Sequence, residues 1–501
     1  MTEFSAGPRS GATMDRQLRL VAVVGLGLLG VLAVNINYIQ GSQAEKLQND
    51  ALNTRKSGQI LLYDRGDILS ADGVVLASSD PVGGGNKPKY QRRYAKDGAA
   101  FVPVTGFFAG TLQRSGLEIA YDSYLNGTDK SQSVGKWLDQ FAGEKPTGAN
   151  LVTTVDARAQ RIAYKRLQIS QRRAAAVVID VRSGAIKVAA SFPSFDPNTV
   201  ADIAKSPADQ ETLNKLDAQK SKAPLLNKAF GEIFPPGSSF KTVVAAAFLQ
   251  KGNTKDSPVP APATLPVPGT RKPISNHGSN GICASAASPL IATFAQSCNT
   301  TYAQLGDDDA ILGNTAVKEQ SERFGFYKPI QIEPDLAAPA SQYPHNVQDH
   351  GEILRGSFGQ GETKATPLQM AMVAAAIGNG GTMMKPYLVE KVRTRKGDVI
   401  QEADRKSLGR PISGDTADEL QEMMREVVRT GTATNLQGHD IAGKTGTTEL
   451  TATFGGAWFI GFAPANDPKY GFAVFVEGNT SSFGATTAGP IAAAITDSLL
   501  K

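Results

Sequence analysis

One uncharged apolar stretch near the N-terminus limits what this chain can fold into. Residues 20–39 contain no charged side chain, and only Asn35 and Asn37 interrupt the apolar run. Twenty residues at about 1.5 Å per residue can cross the hydrocarbon core of a bilayer. Three arginines precede the stretch, the nearest being Arg16 and Arg19, and such a basic excess favours the cytoplasmic side. The sequence therefore predicts a single membrane anchor with an exported remainder.

A cleaved signal peptide is the alternative to an anchor. No Ala-x-Ala-like site directly follows the apolar run, which favours an uncleaved helix. We therefore expect a cytoplasmic tail over residues 1–17 and a transmembrane anchor over 18–39. The pattern GxGxxG at Gly25–Gly30 lies inside this stretch. A dinucleotide site needs a strand before that pattern, so we interpret these glycines as part of the membrane helix.

The composition excludes several classes of protein. Of 501 residues, 20% are charged and 41% hydrophobic, which is ordinary globular composition. The net charge is only +5, without a concentrated basic stripe, so a nucleic-acid partner is not indicated. Two cysteines and four histidines provide few potential ligands for a metal cluster. We expect neither a metal nor an organic cofactor.

The exported part divides into two regions. Residues 40–150 predict a small β-rich module, with a hairpin turn at Asp72-Gly73 and a short strand across Phe101–Phe108. Residues 151–501 predict one α+β domain, because strand patterns stand at both ends and helical patterns lie between them, including a stretch at Pro289–Gln304. The sheet of this domain should join its N- and C-terminal parts.

The segment around Ser238 carries the first chemical signal. Pro235, Pro236 and Gly237 interrupt any preceding helix or strand, and an Ala/Val-rich helix begins at or just after the serine. Residues i and i+3 share a helix face, so Lys241 can reach the Ser238 hydroxyl. A serine nucleophile needs an adjacent base, and this lysine is placed to act as one.

Two more signals follow along the chain. Ser297 and Asn299 form a Ser-x-Asn triplet, which we expect on a loop between helices with its hydroxyl and amide on one side. Lys444 opens the sequence Lys-Thr-Gly-Thr. Taken singly, a helix-terminus serine and an edge lysine are ordinary structural residues. Ser-x-x-Lys also occurs by chance, and further copies start at Ser133 and Ser498. The copy at Ser133 is not preceded by Pro-Gly, and the copy at Ser498 is followed by no further residues that could support a site. Neither is therefore expected to be catalytic.

A nucleotide-binding interpretation competes for the third signal. Residues 438–445 fit the P-loop pattern GxxxxGK[ST]. That loop needs a buried strand before it and a helix after it. The residues that follow are Thr- and Gly-rich, with no apolar helical period. We therefore do not expect a nucleotide here.

Taken together, the three signals resemble a known family. Ser-x-x-Lys, Ser-x-Asn and Lys-Thr-Gly occur in this order, with spacings of 59 and 147 residues, as in the serine acyltransferases related to penicillin-binding proteins and β-lactamases. The chain most resembles a class B penicillin-binding protein of the short actinobacterial type, a monofunctional D,D-transpeptidase. Further blocks that resemble this class are Arg65–Ile68, Gly116–Glu118, Tyr121–Gly127, Thr153–Asp156, Phe192–Asn198, Gly359–Gly361, Thr366–Gln369 and Asn379–Gly381. Ser70-Ala71 depart from the family pattern in the N-terminal module.

The resemblance implies a fold and a reaction. The catalytic domain is expected to be an antiparallel sheet packed with helices plus an all-α part, behind a non-catalytic pedestal module and one transmembrane helix. Ser238 would attack the penultimate D-Ala of a stem peptide, and Lys241 would take its proton. A nearby cation such as Lys444 would favour the neutral lysine. The backbone N–H groups of Ser238 and Thr447 would stabilise the oxyanion.

Further roles follow from the same resemblance. Ser297 would relay a proton to the leaving amine, and Asn299 would hold the backbone amide of the stem peptide. Lys444 and the threonine hydroxyls of the third motif would bind the terminal carboxylate. The expected substrate-binding residues are Thr445, Gly446 and Thr447. β-Lactams would acylate Ser238.

The resemblance also implies partners. These are peptidoglycan stem peptides and lipid-linked precursors, β-lactam antibiotics, and a SEDS-type membrane glycosyltransferase. Alternative functions are a D,D-carboxypeptidase or β-lactamase, and a non-catalytic β-lactam sensor or scaffold. Class A β-lactamases use a Glu-x-x-Leu-Asn stretch after the second motif, which is missing here.

The two cysteines allow two interpretations. Cys298 lies inside the second motif, and Cys283 precedes it by fifteen residues. Outside the cell a disulfide between them is permitted, and it would tether the segment beside the active site. Two separate reduced thiols are the alternative.

Overall fold

The N-terminal apolar stretch forms a long helix. The structure is a computed structural model that describes residues 12–38, 64–82, 89–109, 113–129, 131, 147–201, 206–220, 222–277, 281–344, 349–449, 454–479 and 483–501. The first helix spans Ala12–Tyr38, and its window Leu18–Asn35 has a mean hydropathy of 2.1. At about 1.5 Å per residue, 27 residues exceed the thickness of a hydrocarbon core. The expected boundary at residue 39 lies outside the described residues. The GxGxxG pattern lies within this helix, which argues against a dinucleotide loop.

The helices are numbered along the chain. They are α1 Ala12–Tyr38, α2 Val102–Thr105, α3 Leu117–Ala120, α4 Asp122–Leu125, α5 Ala157–Ile169, α6 Ser206–Ala218, α7 Lys241–Gln250, α8 Leu290–Ala295, α9 Asn299–Asp307, α10 Asn314–Arg323, α11 His350–Gly356, α12 Pro367–Gly378, α13 Gly414–Arg429, α14 Gly484–Thr487 and α15 Gly489–Leu500. Side-chain caps start several of them. Asp156 precedes α5 and accepts from the Ala159 N–H at 2.7 Å.

The strands are numbered in the same way. They are β1 Ile68–Leu69, β2 Val75–Val82, β3 Lys89–Tyr94, β4 Asn150–Thr153, β5 Ala174–Asp180, β6 Ile186–Phe192, β7 Pro258–Ala261, β8 Thr264–Leu265, β9 Ile274–Ser275, β10 Ser285–Pro289, β11 Ile330–Glu333, β12 Leu336–Ala338, β13 Met383–Met384, β14 Val389–Arg393, β15 Val399–Glu402, β16 Ser407–Gly409, β17 Ala442–Glu449, β18 Phe454–Ala463 and β19 Tyr470–Asn479.

A five-stranded antiparallel sheet organises the catalytic part. Its order is β17-β18-β19-β5-β6, so the C-terminal strands pair with strands from near residue 180. Val178 in β5 lies opposite Val188 in β6 and Phe472 in β19, and all three side chains are buried. The predicted sheet joining the two ends of the domain is therefore confirmed. Helices α5 and α15 pack together and against this sheet, and α12 packs along β19 and β5.

A second sheet links the N-terminal module to the catalytic part. Its order is β15-β14-β4-β1-β2-β3, so strands from both regions share one hydrogen-bonded ladder. The hairpin at Asp72-Gly73 is confirmed between β1 and β2. The strand predicted across Phe101–Phe108 is wrong, because Val102–Thr105 is helical. Pro103 suits a first helical turn, and Gly106, with φ of 69°, ends that turn. These two residues outweigh the preference of Val102, Val104 and Thr105 for a strand.

A buried ion-pair network holds the N-terminal module together. The carboxylate of Glu118, fully buried, accepts from Arg92 Nε at 2.6 Å and from an Arg65 guanidinium nitrogen at 2.8 Å. Tyr94 also donates to it, at 3.1 Å. Burial raises the pKa of Glu118, but the two guanidinium groups outweigh burial and hold that pKa below its ordinary value. Two of the family-like blocks, those of Arg65 and Glu118, thus meet at one charge cluster.

Candidate active site

Ser238 lies at the entrance of a buried helix. A 3-10 turn over Gly237–Phe240 runs directly into α7, whose side chains from Lys241 to Leu249 are buried. Ser238 itself is half-buried. The indole Nε1 of Trp458 donates to Pro235 O at 2.8 Å and ties the start of the turn to β18. The serine is therefore fixed between the central helix and the edge of the five-stranded sheet.

Lys241 follows one turn later and is fully buried. Its Nζ donates to Ser297 O at 2.7 Å and to Asn299 Oδ1 at 2.8 Å, which uses both hydrogens of a neutral amine, and it lies 3.2 Å from Ser297 Oγ. Burial and, next, the positive charge of Lys444 lower the pKa of Lys241 well below its ordinary value. These conditions favour a neutral amine, which is the form that can accept a proton from a hydroxyl.

The second motif lies at a break between two helices. As predicted for the Ser-x-Asn triplet, the motif lies on a loop between two helices, because α8 ends at Ala295 and α9 begins at Asn299. Ser297, in the break, has a φ of 60°, a conformation that non-glycine residues seldom adopt. The kink turns its hydroxyl toward both lysines, which a continuous helix would not do.

Asn276 anchors the second motif and was not found from the sequence. Its Oδ1 accepts from the Asn299 N–H at 2.6 Å and from the Thr300 N–H at 3.1 Å, so it caps α9 from a distant loop. The Asn299 amide donates to Ser275 O at 2.9 Å, which directs its Oδ1 toward Lys241. The segment 252–281 shows no pattern that singles out Asn276, because its role depends on tertiary contacts alone.

Lys444 approaches the same serine from the sheet. Its buried Nζ donates to Ser297 Oγ at 2.9 Å and to Thr445 O at 3.1 Å. Burial lowers the pKa of Lys444 to about 7. Two amines thus contact the Ser297 hydroxyl oxygen, and only one of them needs to be charged at neutral pH.

The third motif forms an edge strand beside the nucleophile turn. Gly446 in β17 has no room for a side chain, since a Cβ would lie 2.6 Å from Pro236 O. Thr447 O accepts from Gln360 Nε2 at 3.4 Å, so this carbonyl points away from the sheet. In an antiparallel strand the N–H and C=O of one residue point to the same side. A Cβ on Gly237 would lie 2.5 Å from Thr447 O and 3.1 Å from Thr447 N, so this edge of β17 faces the turn of Ser238.

A cleft of ≈ 320 Å³ joins the three motifs. The described residues that line it are Ser238, His277, Gln296, Ser297, Asn299, Phe358, Gln360, Thr432, Thr445, Thr447, Phe483, Gly484, Ala485 and Thr486. None of these carries a carboxylate, whereas Lys241 and Lys444 lie directly behind the lining. The electrostatics of the cleft therefore suit an anionic ligand.

The structure joins Cys283 and Cys298 in a disulfide, with their Cα atoms 5.4 Å apart. Cys298 N donates to Thr293 O at 2.9 Å, so the bonded cysteine also belongs to the break between α8 and α9. The disulfide links the surface segment before β10 to the middle of the second motif. Of the two interpretations of the cysteines, the structure shows the bonded pair.

The described residues do not support the other motif matches, namely the further Ser-x-x-Lys copies and the P-loop pattern, as functional sites. Ser498 is buried in α15 and donates to Ile495 O at 2.7 Å, which is an intrahelical bond. Ser133 lies outside the described residues. The P-loop pattern is not a loop before a helix, because residues 442–449 form strand β17. The described residues include no group of three or more His, Cys, Asp or Glu side chains suited to a metal.

Comparisons with known proteins agree with this geometry. Residues 174–497 match the penicillin binding protein transpeptidase domain, and residues 65–151 match the penicillin binding protein A dimerisation domain. The chain is 33% identical over 494 residues to the peptidoglycan D,D-transpeptidase PbpA of Mycolicibacterium smegmatis, an overlap of 96% of this chain and 97% of the relative. It is 31% identical over 499 residues to PbpA of Mycobacterium tuberculosis, with 97% and 99% covered.

A solved structure shows the same fold. The imipenem acyl-enzyme complex of penicillin-binding protein A from M. tuberculosis superposes with a TM-score of 0.80 at 31% identity, covering 88% of this chain and 100% of that one. The family predicted from the three motifs is confirmed. This chain belongs to the penicillin-binding protein transpeptidases, in the class B type to which these mycobacterial relatives belong.

Proposed function

We propose that this chain is a peptidoglycan D,D-transpeptidase that works through an acyl-enzyme on Ser238. The observation that carries the proposal is the meeting of Lys241 and Lys444 at Ser297 Oγ, beside a cleft lined by Ser238. The reaction needs a neutral amine next to a hydroxyl, and a nearby cation that favours the neutral form of that amine. This cluster supplies both.

Acylation begins at Ser238. Its hydroxyl attacks the carbonyl of the penultimate D-Ala, and the proton passes to Lys241, whose lowered pKa keeps it neutral. Negative charge develops on the carbonyl oxygen. The N–H groups of Ser238 and Thr447 stabilise that charge from the start of α7 and from the edge of β17.

Departure of the terminal D-Ala needs a proton on its amine. Ser297 is suited to supply it, because Lys444 donates to Ser297 Oγ and leaves the proton of this hydroxyl available. Ser297 then regains a proton from the protonated Lys241, whose Nζ lies 3.2 Å from Ser297 Oγ. The terminal carboxylate binds near Lys444 and the hydroxyls of Thr445 and Thr447. Asn299 uses its Oδ1 on Lys241 and one amide hydrogen on Ser275 O, so one hydrogen remains for the stem peptide.

The acyl-enzyme then passes to an amine of a neighbouring stem peptide. The amine loses a proton to the lysine–serine pair, and Ser238 leaves with a proton. Hydrolysis would need a base for water, as a β-lactamase has. The described residues that line the cleft include no carboxylate for that task. This argues against a β-lactamase that uses a carboxylate base, whereas a D,D-carboxypeptidase is distinguished by measuring the cross-linked product.

β-Lactams acylate the same serine in this proposal. A β-lactam presents a strained amide and a carboxylate in the positions of the D-Ala-D-Ala end. The similar M. tuberculosis protein has been solved as an imipenem and as a penicillin G acyl-enzyme complex. An acylated chain cannot cross-link, so these drugs inhibit it.

The helix α1 anchors the protein in the cell membrane in this proposal, with the N-terminus cytoplasmic and the catalytic part extracytoplasmic. The length and the apolar window of α1 support the anchoring, and the arginines before it support the orientation. The class resemblance adds lipid-linked precursors as the source of substrate and a SEDS-type glycosyltransferase as the membrane partner. Alkaline phosphatase fused after the last residue would be active in this orientation and inactive in the reverse one.

The transpeptidase reaction is tested with the full chain in detergent. The substrate is a pentapeptide-stem peptidoglycan fragment together with an amine acceptor, and both D-Ala and the cross-linked product are measured. Ser238→Ala should abolish both products. Ser498→Ala, in a chance copy of the first motif, should retain them. Release of D-Ala without cross-linked product at saturating acceptor would contradict transpeptidation and indicate a carboxypeptidase.

A further inference from the structure

A short segment after α13 braces the second motif against the third. Gln296 Nε2 donates to Thr430 O at 3.2 Å, and the Thr432 N–H donates to Ala295 O at 3.1 Å. Gly431 between them has no room for a side chain, because a Cβ would lie 2.4 Å from Ala295 O. The backbone of this segment is therefore fixed against the break that holds the second motif.

The side chain of Thr432 crosses from this segment to the third motif. Its Oγ1 lies 2.7 Å from Thr445 Oγ1. Thr445 is only 7% exposed, whereas Thr432 is exposed, and both line the cleft. Each hydroxyl carries one hydrogen, so one of the two donates to the other. Thr432 belongs to none of the three motifs.

Direct contacts to a ligand carboxylate must come from the lining of the cleft. Lys444 Nζ lies behind the strand and already donates to Ser297 Oγ and to Thr445 O. The hydroxyl of Thr445 can donate into the cleft only when its hydrogen is not spent on Thr432. If Thr432 donates to Thr445, the Thr445 hydrogen is directed to the ligand.

We propose that Thr432 is a positioning residue for carboxylate recognition, which donates to Thr445 and thereby turns the Thr445 hydroxyl toward the ligand. The proposal rests on the proposed function, which supplies a ligand with a terminal carboxylate. It predicts an effect on binding of the carboxylate form of a ligand, and little effect on the chemical step.

The test compares benzylpenicillin with its methyl ester, which lacks the charged carboxylate. For each, stopped-flow acylation gives the dissociation constant of the initial complex and the rate constant of acylation. Thr432→Val should raise the dissociation constant for benzylpenicillin about tenfold, the scale of one hydrogen bond to a charged group. The acylation rate constant and the values for the ester should stay within about twofold.

Matched variants separate positioning from simple damage. Thr432→Ser keeps the hydroxyl and should restore wild-type binding, and Thr432→Ala should repeat the loss. Thr434→Val, at an exposed threonine two residues on, should change neither ligand. Equal effects on acid and ester, or no effect on either, would overturn the proposal. No acylation of the unsubstituted protein would overturn the proposed function itself.

Discussion

Gly446 offers a direct test of how closely the third motif must approach the nucleophile. In Gly446→Ala the new Cβ would lie 2.6 Å from Pro236 O, 2.9 Å from Trp458 Cβ and 3.2 Å from Ser239 N. Ordinary contacts begin at 3.4 Å, so β17 and the turn of Ser238 must separate by about 0.8 Å. A misplacement of about 1 Å at a reacting group can cost about 100-fold in rate. We therefore expect acylation to fall by about two orders of magnitude.

The assay is the second-order rate of labelling by a fluorescent penicillin, with thermal unfolding measured in parallel. Overpacking should also lower the free energy of unfolding by about 1–3 kcal/mol. Gly438→Ala is the matched control, since its Cβ would meet nothing within 4 Å. It should label at the wild-type rate. A Gly446→Ala protein that labels within about threefold of wild type would refute the close approach.

Three further predictions concern single side chains. Lys444→Met removes a buried charge, so the pKa of Lys241 should rise and the acid limb of the pH dependence of acylation should move to higher pH. The basic limb near pH about 7, which reflects the titration of Lys444, should vanish. A pH profile superimposable on that of the wild type would contradict both expectations. Asn276→Ala removes the cap of α9 and should lower the free energy of unfolding in urea by about 1–2 kcal/mol, with a smaller loss for Asn276→Asp; equal losses would argue against the capping role. Glu118→Ala leaves two buried guanidinium groups without their shared carboxylate and should cost about 3–5 kcal/mol; a loss below about 1 kcal/mol would show that the network is dispensable.

The sequence was informative where local pattern and structure coincide. The hairpin at Asp72-Gly73 follows from its turn residues, and Asp156 caps α5 as a residue of its type does. Ser238 and Lys241 were singled out by their spacing of three residues, and the structure places them on a 3-10 turn that runs into α7. These features depend on neighbours along the chain.

Other features depend on contacts that sequence separation conceals. The sequence predicts a loop at Ser297, but not its φ of 60° or the meeting of its hydroxyl with both lysines. Asn276 and Thr432 contact partners 23 and 13 residues away, respectively. Tertiary contacts decide these three features. The helix at Val102–Thr105 has a local cause instead, because Pro103 and Gly106 outweigh the β-branched residues.

The site of covalent acylation shows directly whether Ser238 is the nucleophile. The full chain is incubated with a β-lactam, and its intact mass and peptide map are determined. We expect one adduct, on Ser238, which disappears in Ser238→Ala. The adduct should persist in Ser239→Ala, because the Ser239 side chain is buried and donates to Pro236 O at 2.7 Å. An adduct that survives Ser238→Ala, or that maps to another residue, would contradict the assignment of Ser238 as the nucleophile.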